Sequence, residues 1–283
     1  MTVLFRLLAL LPLRLLHALG AALGWAVWLL SPGWRRRLAA HAAQAGYAWP
    51  EVRPAVAEIG KMVAETPRLW FGAAPPVTWD NFDSVTQAYA AGRGVLFLTP
   101  HLGCFEVTAQ ALASRHLATH GPFTVLFRPA RKAWLAPLVA ASRDRPGLAA
   151  VPTSLSGVRQ MIKALREGRA VGLLPDQVPP EGQGLWVPFF GRPAYTMTLA
   201  ARLALQTGAE VRLVWGERLP AGRGYLLHCR ELEAPLAADL EAAVTQINRG
   251  MEHLVRECPQ QYLWSYNRYK QPRQQDAGGG GAA

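Results

Sequence analysis

His101 and Glu106 stand five residues apart in the run Thr99-Pro100-His101-Leu102-Gly103-Cys104-Phe105-Glu106. A carboxylate on one nitrogen of an imidazole fixes the tautomer and raises the basicity of the other nitrogen. On one continuous helix the two side chains would point about 140° apart and could not meet. The pair works if His101 lies in a turn, which Gly103 permits, and Glu106 reaches back from the first turn of the helix that follows. A histidine held that way removes a proton from a hydroxyl. His228 and Glu233 repeat the spacing. His228, however, sits in the alternating run Gly224-Tyr225-Leu226-Leu227-His228-Cys229-Arg230, with no glycine turn or helix start after it, and reads as a strand-face histidine. Cys104 is a rival nucleophile for His101, but only the helix start would lower its pKa, and buried cysteine usually behaves as a small hydrophobe.

Further charged groups fall at element ends. Arg128, Arg131 and Lys132 follow an apolar run, and Arg143 and Arg145 close the next helical stretch. They could converge on a phosphate or a polarised carbonyl, or be solvated on the surface. Asp176 ends a buried-looking strand and opens a loop rich in proline and glycine that leads to exposed-looking aromatics. Such an acid orients a ligand or substitutes for a helix cap, and we take the first reading. No G-x-S-x-G elbow, Walker A loop or G-x-G-x-x-G fingerprint occurs, so no nucleotide cofactor is implied. Three cysteines without a C-x-x-C pair argue against a disulfide framework and a zinc site, so no metal is expected.

The elements that must position these groups read as strands at 94–99, 124–127, 149–152, 170–174, 211–216 and 225–229. Helices are predicted near 105–116, 132–143, 154–167 and 196–206. Strands interleaved with helices at this spacing predict an α/β fold, a mostly parallel central sheet with helices on both faces. Helical periodicity covers 36–45 and 52–71, and Pro235 is expected to open a last amphipathic helix. The expected organisation is an amino-terminal appendage over 1–31, one catalytic domain over 32–270 and a disordered glycine-rich tail over 271–283.

The appendage is almost wholly apolar, yet its uninterrupted stretch from Leu15 to Leu30 is shorter than the roughly 20 residues a spanning helix needs. Arg14, His17, Gly20 and Gly24 form one narrow polar or small stripe on this helix. Apolar residues cover the rest, with Trp25 and Trp28 suited to a membrane interface and Arg35, Arg36 and Arg37 placed to grip anionic lipid. A core hairpin helix is the alternative, and a cleaved signal peptide fits less well. Over the 283 residues, 51% are hydrophobic and 17% charged, which excludes disorder for most of the chain and also a polytopic membrane protein. Thirty Lys+Arg against nineteen Asp+Glu leave a net charge of +11, so partners should be anionic. The aromatics sit in apolar runs rather than interleaved with the cations, which argues against nucleic acid as the partner.

Together these segments resemble the lipid A biosynthesis lauroyl/myristoyl acyltransferases, relatives of the wider glycerolipid acyltransferases. The resemblance spans most of the chain. It rests on the apolar first helix with its arginines, H-L-G-C-F-E, F-R-P, S-R-D-R, L-L-P-D-Q, W-V-P-F-F-G and the closing Q-Y-L-W-S-Y-N-R-Y-K. It implies His101 as general base with Glu106 as its partner, Arg143 and Asp176 as further residues needed for activity, and Arg128 in substrate binding. The acyl transfer it implies needs donors for an oxyanion, and the helix start after Gly103, or Arg143, could supply them. It also implies an acyl carrier protein as donor, a lipid A precursor as acceptor, anionic inner-membrane lipids as surroundings, and the cytoplasmic face of a bacterial inner membrane as the location. The family often carries Asn-Trp where Cys104-Phe105 stands here. A related enzyme acting on a lysophospholipid, an ornithine lipid or a mannosylated lipid is the nearest rival, and a basic membrane- or nucleic-acid-binding protein a more distant one.

Overall fold

The computed structural model describes residues 2–127, 136–143 and 145–274. The first part is helical: α1 (Thr2–Leu8), α2 (Leu13–Leu30), α3 (Pro32–Gln44), α4 (Trp49–Val52), α5 (Ala55–Ala64) and α6 (Thr66–Phe71). The periodicity over 52–71 is one pattern in sequence but three helices in space, because Pro54 and Pro67 interrupt it and proline starts a helix more readily than it continues one. The α/β part follows as β1 (Val77–Asp80), α7 (Phe82–Ala90), β2 (Val95–Leu98), α8 (Phe105–His120), β3 (Phe123–Phe127), α9 (Ala136–Arg143), β4 (Leu148–Pro152), α10 (Leu155–Arg166) and β5 (Ala170–Leu173). It closes with β6 (Gly184–Phe189), β7 (Arg192–Met197), α11 (Leu199–Thr207), β8 (Glu210–Arg218), β9 (Tyr225–Glu231) and α12 (Leu240–Glu257).

Seven strands form one sheet in the order β1-β9-β8-β2-β5-β3-β4. Its pairs are parallel except β8 with β9, so the mostly parallel sheet expected from the sequence is the one observed. β2 lies near the middle, and its residues Val95-Leu96-Phe97-Leu98 are all buried because both faces are covered. Val95 and Phe97 pack with Val85, Ala88 and Leu112 of α7 and α8. Leu96 and Leu98 pack with Met161, Leu203 and Met251 of α10, α11 and α12.

Several expectations are corrected. β1 has no counterpart among the expected strands. The loop after Asp176 folds into the antiparallel hairpin β6–β7, which buries Phe189 and Phe190 and leaves Trp186 exposed. Thr196 and Met197 belong to that hairpin, so α11 starts later than its periodicity indicates. The last helix begins at Leu240 rather than Pro235, because the Asp239 side chain caps it by accepting from the Ala242 N–H. The expected tail beyond Gln274 and the start of the helix expected from Lys132 lie outside the described residues.

α2 is oriented by its small stripe together with Leu13 and Leu16, which are buried beside it. His17, Gly20 and Gly24 are buried, with both glycines against α5. A Cβ on Gly20 would lie 2.7 Å from the Gly60 carbonyl oxygen, and one on Gly24 would press into the backbone of Val56. Glycine is what lets the two backbones approach this closely. The consequence is an inverted helix: Leu15, Leu19 and Leu23, spaced by one helical turn, face outward about half exposed. Val3, Leu4 and Leu7 of α1, then Leu10, Leu29 and Leu30, extend the exposed apolar surface. The arginines behind it are partly engaged within the protein: the Arg35 guanidinium lies 5.1 Å from the centre of the Trp28 ring, and Arg37 donates to the Ser265 carbonyl.

Candidate active site

β2 and β5 are adjacent and parallel, in a register that pairs Val95 with Ala170 and Leu98 with Leu173. Beyond each strand end the chain runs through one residue and a proline, Thr99-Pro100 in one case and Leu174-Pro175 in the other, and then presents a polar side chain. These are His101 and Asp176, which continue the same register. Asp176 Oδ1 lies 2.7 Å from His101 Nδ1, and its Oδ2 accepts from the His101 backbone N–H at 2.8 Å. The carboxylate therefore grips both ring and main chain. Burial alone would raise the Asp176 pKa, but the charge and hydrogen bonds of His101, and then the charge of Arg268, outweigh it and hold the carboxyl below its usual range. An ionised Asp176 fixes the ring proton on Nδ1 and leaves the lone pair on Nε2.

The turn between β2 and α8 is fastened from outside. Gly103 adopts φ +56°, the left-handed conformation that glycine tolerates, and a Cβ there would collide with the Gly216 carbonyl. Its N–H donates to the Gln261 carbonyl at 3.0 Å, the Cys104 N–H to Gly216 at 2.8 Å, and the His101 carbonyl accepts from Leu263 at 3.1 Å. The N–H groups of Gly103 and Cys104, at the helix start considered for oxyanion donors, are thus committed to holding the turn.

Behind the turn lies a buried charged cluster. Arg218 donates to the Gly103 carbonyl at 3.0 Å and forks onto Glu65 at 2.8 and 2.7 Å, with a further bond to Glu58 at 2.7 Å. Tyr225 donates to Glu65 at 2.8 Å, and His17 of α2 lies 3.0 Å from the same carboxylate. Burial pushes the Glu65 pKa up, but the charge and hydrogen bonds of Arg218, and then His17, pull it down to about 2. The amino-terminal helix is joined in this way, through three side chains, to the turn that carries His101.

On the α8 side of the sheet, next to this turn, a cavity of about 170 Å³ runs inward. Phe97, Leu112, Phe123, Val125 and Val214 line it, with Thr99, Phe105 and Glu106 also on its wall. The Phe105 ring lies 5.1 Å from the His101 ring. Gly172 contributes no side chain to the wall, and a Cβ there would stand 2.7 Å from the Phe123 ring.

The structure adds partners to the residues read from sequence. A carboxylate on the imidazole is supplied by Asp176, which the sequence reading does not pair with it. Glu106 begins α8 on the cavity wall. The five-residue spacing pointed to the nearest acid along the chain, whereas strand pairing supplies one 75 positions away. Arg128 lies outside the described residues, as does the side chain of Arg143 at the end of α9. Cys104 is buried, and burial pushes its thiol well above the usual range, which disfavours the nucleophile reading. His228 is on β9, stacked on Trp215 at 4.5 Å and paired with Asp80 and Glu217, a strand-face residue as expected. Among the described residues no cluster of metal-ligating side chains occurs.

Sequence reasoning passed over Gln177, whose amide nitrogen lies 3.1 Å from His101 Nε2. It also missed Glu65 and Arg218, whose isolated positions at the junction of α5 with α6 and at the end of β8 carry no local signal. The closing segment forms the wall beneath the site: the Tyr266 hydroxyl accepts from the Val178 N–H at 2.9 Å, and buried Arg268 donates to the Tyr195 carbonyl at 2.7 Å.

The family described as bacterial lipid A biosynthesis acyltransferase matches residues 1–271. Among curated proteins, the chain is 26% identical over 218 residues to the lipid A biosynthesis lauroyltransferase of Escherichia coli K12, covering 75% of this chain and 69% of that one. It is 25% identical over 217 residues to the lipid A biosynthesis palmitoleoyltransferase of the same organism, with the same coverage of 75% and 69%. A lipid A biosynthesis acyltransferase of Haemophilus influenzae is 24% identical over 271 residues, or 91% of this chain and 82% of its own.

Proposed function

Because the chain belongs to the bacterial lipid A biosynthesis acyltransferases, we propose that it moves a fatty acyl group from the thioester of an acyl carrier protein to a hydroxyl of a lipid A precursor. His101 Nε2 removes the hydroxyl proton while Nδ1–H stays on Asp176. The alkoxide oxygen attacks the thioester carbonyl, the tetrahedral intermediate collapses, the C–S bond breaks, and the imidazolium returns the proton to the departing thiolate. No acyl-enzyme is required. The apolar cavity beside Phe105 receives the acyl chain, and its greasy wall excludes water from the forming ester. Arg143 and Arg128 are proposed to steady the charged intermediate or the acceptor.

The observation that carries this reading is the His101–Asp176 pair beside an apolar cavity at the carboxyl ends of parallel strands, where open α/β sheets place their ligands. The exposed leucine face of α1 and α2 supports attachment to the inner membrane from the cytoplasmic side, and the net charge of +11 supports anionic partners: the carrier protein, acceptor phosphates and lipid headgroups. At 18 residues and with its small stripe on α5, α2 is suited to lie along the protein with its leucines in lipid.

The test is acyl transfer from a purified acyl carrier protein thioester to lipid A precursor in mixed micelles, with lipid mass spectrometry of cells that possess or lack the protein. His101→Ala, folded by circular dichroism, is expected to lower transfer by about 10²–10⁴-fold. Near-normal transfer in that variant would remove the general base from the mechanism. A lipidome altered in lysophospholipids and unchanged in lipid A would give the acceptor to the rival acyltransferase reading.

A further inference from the structure

The nitrogen that has to accept the proton is already occupied. With Nδ1–H held by the Asp176 carboxylate, Nε2 of the neutral ring carries a lone pair, and the Gln177 amide nitrogen stands 3.1 Å from it. An amide NH₂ donates and an imidazole lone pair accepts, so the contact is a neutral hydrogen bond that caps the base. Its position is fixed by the chain. Gln177 immediately follows Asp176, so the strand end that orients one side of the ring also delivers the group on the other. The next residue is anchored as well, the Val178 N–H donating to the Tyr266 hydroxyl at 2.9 Å. An uncapped Nε2 beside a bound thioester could take a proton from water, whose oxygen would attack the carbonyl. The C–S bond would break, the imidazolium would protonate the thiolate, and the acyl group would leave as free fatty acid.

Resting on the transfer mechanism above, we propose that Gln177 is a positioning residue that caps the lone pair of His101 until an acceptor hydroxyl displaces it, so that the base acts on alcohol and not on water. The alcohol replaces one donor on Nε2 with another, so opening costs little when the acceptor is seated by its own contacts. A single water lacks those contacts and competes poorly with an amide tethered one residue from Asp176.

The experiment uses the full chain in detergent micelles with an acyl carrier protein thioester, and measures fatty acid release without acceptor and ester formation with it. Gln177→Ala is expected to raise acceptor-independent hydrolysis about 3- to 10-fold, the population change that losing one neutral hydrogen bond permits, while ester formation falls less than hydrolysis rises. Gln177→Glu, whose ionised carboxylate accepts rather than donates, is expected to hold the ring as imidazolium and to lower both reactions. Nitrogen-15 spectra of the His101 ring give a readout independent of turnover: the Nε2 resonance should move in Gln177→Ala while Nδ1 stays in place. A Gln177→Ala protein that forms ester, hydrolyses thioester at the wild-type rate and keeps its Nε2 resonance would overturn the cap. Failure of the wild-type protein to acylate any lipid would instead overturn the transfer reading, and the ring spectra would still decide whether the amide is on Nε2.

Discussion

His17, on the outward-greasy helix α2, lies 3.0 Å from Glu65, the carboxylate that holds Arg218 against the carbonyl of Gly103. The helix that presents leucines to the exterior and the turn that carries His101 are therefore parts of one buried electrostatic unit. Removing one member of such a unit leaves an uncompensated charge, whereas the intact unit contributes little net stability beyond what an apolar replacement would give.

This arrangement has an acid limit with a definite sign. The pKa of Glu65 falls from 4.5 to about 2 in the folded protein, so its ionised form stabilises the fold above pH 4.5, and that stability is lost as pH falls through this range towards 2. The displacement corresponds to about 3 kcal/mol. Asp176 is lowered as well and adds to the same trend. Urea unfolding followed between pH 6 and 3 should show the wild type losing stability, and Glu65→Gln should show a shallower slope from a lower starting point. Arg218→Met should cost about 3–5 kcal/mol at neutral pH, part of which Glu65→Gln in the same chain restores. A pH-independent wild type would contradict the cluster as described.

Asp176 and Glu106 can be ranked by amide substitution. Asp176→Asn replaces the ionised acceptor of Nδ1–H by a group that can hold the wrong tautomer, and should lower the transfer rate constant by about 10²–10⁴-fold with little change in acceptor KM. Glu106→Gln changes a wall of the cavity, and should act more on acceptor or donor KM. Initial rates at several concentrations of each substrate separate the two. Equal losses of rate constant with unchanged KM would give Glu106 the role its spacing indicates.

Membrane attachment should depend on the outward leucines. Substituting Leu15, Leu19 and Leu23 together by Ser removes apolar area from the exposed face without touching the glycine stripe on α5. At about 1.5–3 kcal/mol for a fully buried leucine, even shallow insertion makes the expected loss of vesicle binding more than about tenfold. Sedimentation with vesicles containing an anionic phospholipid measures it, and the thermal midpoint should be unchanged. Undiminished sedimentation would assign attachment to another surface.

Acyl selectivity should respond to the wall at Gly172. A side chain there meets the Phe123 ring, at 2.7 Å for the first carbon alone, and narrows the cavity. Gly172→Val is expected to shift the ratio of kcat/KM between a long and a short acyl donor by about tenfold towards the shorter, the scale of a few methylenes of apolar contact. Competition between two carrier-protein thioesters reports the ratio directly. An unchanged preference would place the end of the acyl chain elsewhere.

Much of this protein is written in local order along the chain. The interleaved strands and helices, the position of His101 in a glycine turn after a buried strand, the strand-face character of His228 and the resemblance to an acyltransferase family are all legible there, because each depends on neighbours a few positions apart. Packing between distant segments settled what local order left open. Spacing along the chain selected Glu106 for the imidazole, but the parallel pairing of β2 with β5 brought Asp176 and Gln177 to it, and strand order is not encoded in local periodicity. The stripe of Arg14, His17, Gly20 and Gly24 is visible as a pattern, yet the burial of its glycines depended on finding Gly60 opposite. Glu65 and Arg218, from segments with no shared motif, became partners only when a helix junction and a strand end distant in sequence were packed together, since a pairing energy between charges depends on their separation in space and on the water excluded between them.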